Sequence, residues 1–135
     1  MTHYAALPHN ASVNKSLLTV IETPSFTRSA EKLLSAEEYA ELVVLLATNP
    51  CDGDEIQGTG GVRKLRFSAR GKGKSGGVRV IYYYYDFENP LYAILLYGKN
   101  EQADLTSKQK KDISNFAAGI KAAAKARKFN RRREL

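Results

Sequence analysis

Gly58 to Tyr85 reads GTGGVRKLRFSARGKGKSGGVRVIYYYY, and the fold turns on this stretch. Val62 to Ala69 alternates with period two, so Lys64 and Arg66 point to one side of a strand while Leu65 and Phe67 point to the other. Val78 to Phe87 is the return strand. Between them Arg70 to Gly77 carries four glycines in eight residues, which frees the backbone to turn and to approach a ligand closely. The whole stretch holds seven Lys/Arg and no acid. A solvated charged face mixes signs, so charge of one sign on a strand pair points to a polyanionic partner, nucleic acid first. The plainer reading is a cationic edge that only binds RNA or discourages strand-to-strand aggregation.

Working outward, Leu91 to Tyr97 is a further strand, reached through the turn Glu88-Asn89-Pro90 and closed by Gly98. Thr106 with Gln109 forms a capping box, and Ile113, Phe116, Ala117, Ile120 and Ala124 trace one helical stripe behind it. On the N-terminal side, Cys51 to Thr59 is a loop rich in Gly and Asp. Before it, Ser35 and Glu38 make another capping box, followed by Tyr39, Leu42, Val43 and Leu46 at helical spacing and stopped by Asn49-Pro50. Thr23-Pro24 opens a preceding helix that carries Phe26, Ala30 and Leu33 inward. Leu17 to Glu22 is a first strand, and residues 1–16 lack any period and read as a flexible arm. The predicted order is β-α-α-β-β-β-α. This is an α+β domain over residues 17–126, with a small, mostly antiparallel sheet and a basic tail at 127–135.

A chain of 135 residues is long enough to bury about two thirds of its unfolded surface as one domain. Its single cysteine, Cys51, forms no internal bridge, and neither His3 nor His9 is placed to activate it. The longest strongly apolar run, Leu42 to Ala47, is far short of a membrane span, and the N-terminus lacks a secretory pattern. A cytoplasmic protein with no membrane contact is expected. Net charge is +7, and the distribution matters more than the total: a second acid-free block, Lys121 to Arg133, holds another seven cations. The other seven lie among or close to the fourteen acids.

Some look-alike motifs fail on their surroundings. Gly73-Lys74-Ser75 resembles the end of a phosphate-binding P-loop, but its first glycine would fall at Ser68 and another strand follows instead of a helix. The two histidines have no second ligand set, and Asp52, Asp54 and Glu55 lack the distal glutamate of a calcium loop, so no metal and no cofactor is expected. The tyrosines Tyr82 to Tyr85 alternate between faces. At least two pack in the core, leaving others free to stack on bases.

GTGGVRKLRF, the glycine- and lysine-rich loop, GGVRVIYYYYD and LLYGKNEQADLT together resemble RelE/HigB-type toxins of bacterial toxin–antitoxin systems over about residues 17–124. The resemblance implies a RelE-like domain that enters the ribosomal A site and cleaves messenger RNA there. It also implies a cognate HigA-like helix-turn-helix antitoxin as partner. Lys64 and Arg66 match the paired cations of the family's second strand, and Arg79 matches the arginine of the next. The pattern departs at Asn100 and Thr106, where the family carries an arginine and a functional tyrosine. Lys99 is then the neighbouring candidate for the first role, and Tyr97 or one of the strand tyrosines for the second.

The chemistry of RNA cleavage fits these residue types. RNA brings its own nucleophile, the 2′-OH, so an enzyme has only to align it, take its proton, stabilise the pentacoordinate anion and protonate the leaving 5′ oxygen. Clustered like charges disfavour protonation of a lysine, which suits Lys64 to accept the proton. Arg66 and Arg79 supply planar forks for the phosphate, and Lys99 a further phosphate contact or the proton donor. Arg63, Arg70, Lys72, Lys74 and Tyr97 are expected to hold the RNA. Two other readings stand beside this one: a non-catalytic RNA- or ribosome-binding module, and a ParE-like toxin that acts on DNA gyrase with the same fold.

Overall fold

The computed structural model describes residues 2–4, 18–69 and 77–133. Its nine elements are β1 (Thr2–Tyr4), β2 (Thr19–Glu22), α1 (Pro24–Leu33), α2 (Ala36–Thr48), β3 (Asp54–Glu55), β4 (Val62–Phe67), β5 (Val78–Tyr83), β6 (Leu91–Gly98) and α3 (Ser107–Arg133). The strands form one sheet in the order β1-β2-β6-β5-β4-β3, antiparallel throughout except for the β2–β6 pair.

Both faces of that sheet are covered, which explains why every residue of β5 is buried. Val78, Val80 and Tyr82 face α1 and α2, where they meet Phe26, Leu33, Leu42 and Leu46 from the helices and Val20, Leu91 and Leu96 from neighbouring strands. Ile81 and Tyr83 face α3, joining Val62, Ile94, Tyr97, Ile113 and Ala117. Each large aliphatic or aromatic side chain buried this way contributes about 1.5–3 kcal/mol. Two small cores separated by one sheet therefore hold the domain together.

Local signals set the helix starts. Thr23 accepts the Phe26 amide on its hydroxyl at 3.1 Å, with Pro24 in the first turn. Ser35 and Glu38 exchange bonds of 3.1 and 2.9 Å, and Thr106 and Gln109 exchange bonds of 3.0 and 2.9 Å, so both expected capping boxes are formed.

The structure differs from the sequence reading at several places. The return strand ends at Tyr83 rather than Phe87, where its pairing ends on both sides: Tyr83 pairs with Val62, the first residue of β4, and with Tyr92, one residue from the start of β6. Gly60 and Gly61, at φ +73° and +109°, turn the chain away just before β4. Two short strands were not expected. Within the segment read as an arm, Thr2–Tyr4 pairs antiparallel with β2; residues 5–17 lie outside the described residues. Asp54–Glu55 pairs with Lys64 and Arg63, a match of opposite charges that apolar periodicity does not reveal. Residues 127–133, read as a tail, continue α3, since Lys121 to Lys128 are all good helix formers and no Gly or Pro follows them within the helix.

Candidate active site

Antiparallel register decides which cations meet. Arg66 lies directly opposite Arg79, and Arg79 directly opposite Tyr97, so the three stand in a row across β4, β5 and β6 on the face that α3 covers farther along. Opposite residues have Cβ atoms about 4.5–5.5 Å apart, and like charges placed so destabilise the ladder. An anion between them reverses that cost. Lys64 is two residues along β4 on the same face, and Lys99 follows Gly98 at the end of β6, its amide donating to the Gly77 carbonyl at 3.3 Å.

These four cations line one cleft of about 480 Å³, together with Asp52, Asp54, Leu65 and Ala103. Arg79 forms its floor at 8% exposure, whereas Arg66 and Lys99 are exposed at its rim. Such a floor-and-rim arrangement offers a phosphate one buried guanidinium, with a second guanidinium and an ammonium free to adjust at the rim.

Acids also border the cleft, of which the sequence reading had weighed Asp52 and Asp54 only as a calcium loop. Asp104, on the loop from β6 to α3, accepts the Leu105 amide at 2.8 Å and pairs with the Lys64 ammonium at 3.4 Å. The Leu105 amide first, and Lys64 second, hold its carboxyl below the usual carboxylate range. The Lys64 ammonium is thus engaged in the free protein. Asp54 enters the site through its β3 pairing with Lys64, and the DGDE run ahead of a basic strand was the one sequence signal for it. Nothing local marked Asp104, which stands forty residues from its partner. Among the described residues no cluster of three or more His, Cys, Asp or Glu is arranged to hold a metal ion.

Other candidate residues are placed elsewhere. Arg63 alternates to the far side of β4, where its guanidinium donates to the carbonyls of Gly53 at 2.7 Å and Cys51 at 3.2 Å. It fastens the 51–53 loop instead of facing the cleft. Tyr97 is 5% exposed, with its ring in the core beneath α3, so it offers no face on which a base could stack. Its hydroxyl has no hydrogen-bond partner among the described residues, and burial raises its phenol above the ordinary value. Arg70, Lys72 and Lys74 lie outside the described residues. Tyr82 spans the 50–53 loop from the core: its hydroxyl accepts the Gly53 amide and donates to the Pro50 carbonyl, both at 2.8 Å. Tyr83 packs on the opposite side of the sheet.

The matching family model, that of the RelE toxin of the RelE / RelB toxin-antitoxin system, spans residues 18–132. The chain belongs to the RelE toxin family and is the toxin of a toxin–antitoxin pair. Among solved structures, it is similar to a mutant of the E. coli toxin RelE in the free state. That match has 14% identity and a TM-score of 0.47, and covers 66% of this chain and 90% of that chain. No helix among the described residues is long and apolar enough to cross a membrane.

Proposed function

We propose that this toxin is a ribosome-dependent messenger-RNA endoribonuclease that acts in the A site and stops translation. The observation that carries the reading is the convergence of Lys64, Arg66, Arg79 and Lys99 on one cleft. Arg79 and Arg66 clamp the scissile phosphate and hold the charge that builds on its oxygens in the transition state. Lys64, released from Asp104 and having given its ammonium proton to solvent, takes the proton of the 2′-OH as a neutral amine while that oxygen attacks the adjacent phosphorus. The P–O5′ bond breaks, Lys99 protonates the departing 5′ oxygen, and the products are a 2′,3′-cyclic phosphate and a 5′-OH. No metal is needed for this step, because the nucleophile is already attached beside the phosphate. The partner is a helix-turn-helix antitoxin of HigA type, which neutralises the toxin.

A second reading, ribosome occupancy without cleavage, is favoured by one observation: the Lys64–Asp104 pair withholds the proton acceptor. Primer extension on an mRNA in a translating extract separates the two. Cleavage predicts shortened mRNA only when ribosomes are present, and a loss of about 10²–10³-fold in Arg79→Ala, the scale for removing one donor to a transition-state oxyanion. Translation arrest with full-length mRNA, or an Arg79→Ala protein as active as wild type, would overturn the proposal.

A further inference from the structure

A separate group of cations lies on α3, away from the cleft. From Lys121 to Arg133 the helix carries seven Lys/Arg and no acid, and among residues 121–132 only Ala124 is buried. Lys121, Lys125, Lys128 and Arg132 recur at i, i+4, i+7 and i+11. At 3.6 residues per turn these four fall within about 60° of one another around the axis, and the rise spreads them over about 16 Å, some 4.5–6 Å between neighbours. They form a line on the flank of the helix, roughly 70° around from the buried positions Ile113, Ala117 and Ala124. On the other flank Arg127 donates to the Asn89 side chain at 2.8 Å, which ties this part of the helix to the turn between β5 and β6. The comb of charges is therefore held in place before any partner arrives.

We infer that this line of four cations is a second binding surface, for the phosphodiester backbone of a nucleic-acid duplex. Evenly spaced like charges on a convex rod suit a regularly repeating polyanion, and duplex binding of this kind needs no base contacts. A membrane surface fits poorly, because a helix lying in lipid needs a bulky apolar face and Phe129 is the single large apolar residue from 121 to 132. A protein partner would want aromatic or aliphatic anchors between the charges, and here those positions are mostly alanine. The α3 N-terminus adjoins the cleft through Asp104, and the comb begins only at Lys121, fourteen residues on, about 21 Å along the axis. The comb therefore grips a segment other than the few nucleotides in the cleft. This goes beyond the cleavage reading and does not depend on it.

The test is fluorescence anisotropy of the full chain with a 16-base-pair RNA duplex, and with a DNA duplex of the same sequence, between 50 and 200 mM salt. The variant K121Q/K125Q/K128Q/R132Q keeps good helix formers, and its helix content is checked by circular dichroism. If the comb neutralises four phosphates, the slope of log affinity against log salt falls by about 3–4 in this variant, with at least tenfold weaker binding at low salt. An equal-charge control, R28Q/K32Q/K108Q/K111Q, removes four exposed cations elsewhere and should leave the slope within about one of wild type. The RNA and DNA arms identify which duplex is the source. An unchanged slope in the comb variant, an equal loss in the control, or binding to anionic vesicles but to neither duplex would overturn the inference. Because the assay involves neither ribosomes nor cleavage, its failure is distinct from failure of the cleft.

Discussion

Arg79 draws its importance from its place in the register. It is buried on the central strand, faces another arginine, and lines the same cleft as two lysines. Alternation of β4 already put Lys64 and Arg66 on one face in the sequence. That Arg79 shares this face was not legible, because the period of each strand does not fix the register in which the two pair. The same alternation puts Arg63 on the other face, but nothing local announces the carbonyl twelve residues away that it fastens, or the helix lying over Tyr97. Asp104 bears on the cleft's chemistry through Lys64. The pair it makes with Lys64 is partly exposed, at 37% and 72%, so opening it costs little. Asp104→Asn is expected to raise the cleavage rate at neutral pH, by no more than about fivefold, the equivalent of an exposed pair worth up to about 1 kcal/mol. The pair itself persists at neutral pH. Asp104's carboxyl is depressed, so its contribution is present above the ordinary value of 3.8 and disappears only as pH falls through the lowered one. A slower Asp104→Asn enzyme in a single-turnover assay would mean that the carboxylate positions Lys64 instead of restraining it.

At the scale of elements, the hairpin of β4 and β5 was legible from its period, and the helix starts from their caps, since both signals sit within four residues. The strand ends were not, because a strand stops where its neighbours stop. Gly77 shows how tightly the hairpin is set. It sits at φ +70°, and a Cβ there would press on the backbone carbonyl of Phe67, which cannot swing aside as a side chain can. Gly77→Ala should therefore cost more than the ~1 kcal/mol of an ordinary glycine substitution, and shift the register that sets Arg66 against Arg79. Urea titration checks the first effect. A fully stable Gly77→Ala protein would contradict the tight approach. A second junction joins β2, α1 and α2: Glu22, 3% exposed, accepts hydrogen bonds from Thr27 and Tyr39. Tyr39→Phe removes one donor to a buried carboxylate and is expected to cost about 1–3 kcal/mol.

For the whole molecule, one sheet covered on both faces explains both its stability and its alkaline limit. Burial raises the phenols of Tyr39, Tyr82, Tyr83 and Tyr97; for Tyr39 the bond to Glu22 adds to the effect. A group that holds its proton more tightly when folded stabilises fully below its unfolded value, here near 10, and loses that contribution as pH rises through the folded one. The thermal midpoint should therefore fall steadily above about pH 10, and less steeply in Tyr39→Phe. A midpoint flat to pH 12 would contradict the buried phenols. The two basic blocks were plain in the sequence. Their division between a cleft and a projecting helix was not, since composition counts charges without saying where the chain carries them.

The function of the cleft lies in what it does to a phosphodiester. The most direct measurement is the chemistry of the ends left on mRNA after a translating extract is treated with the toxin. Attack by the neighbouring 2′-OH predicts a 2′,3′-cyclic phosphate on the upstream fragment and a 5′-OH on the downstream one, both missing with Arg79→Ala. Fragments ending in 3′-OH and 5′-phosphate, or no fragments at all, would contradict it.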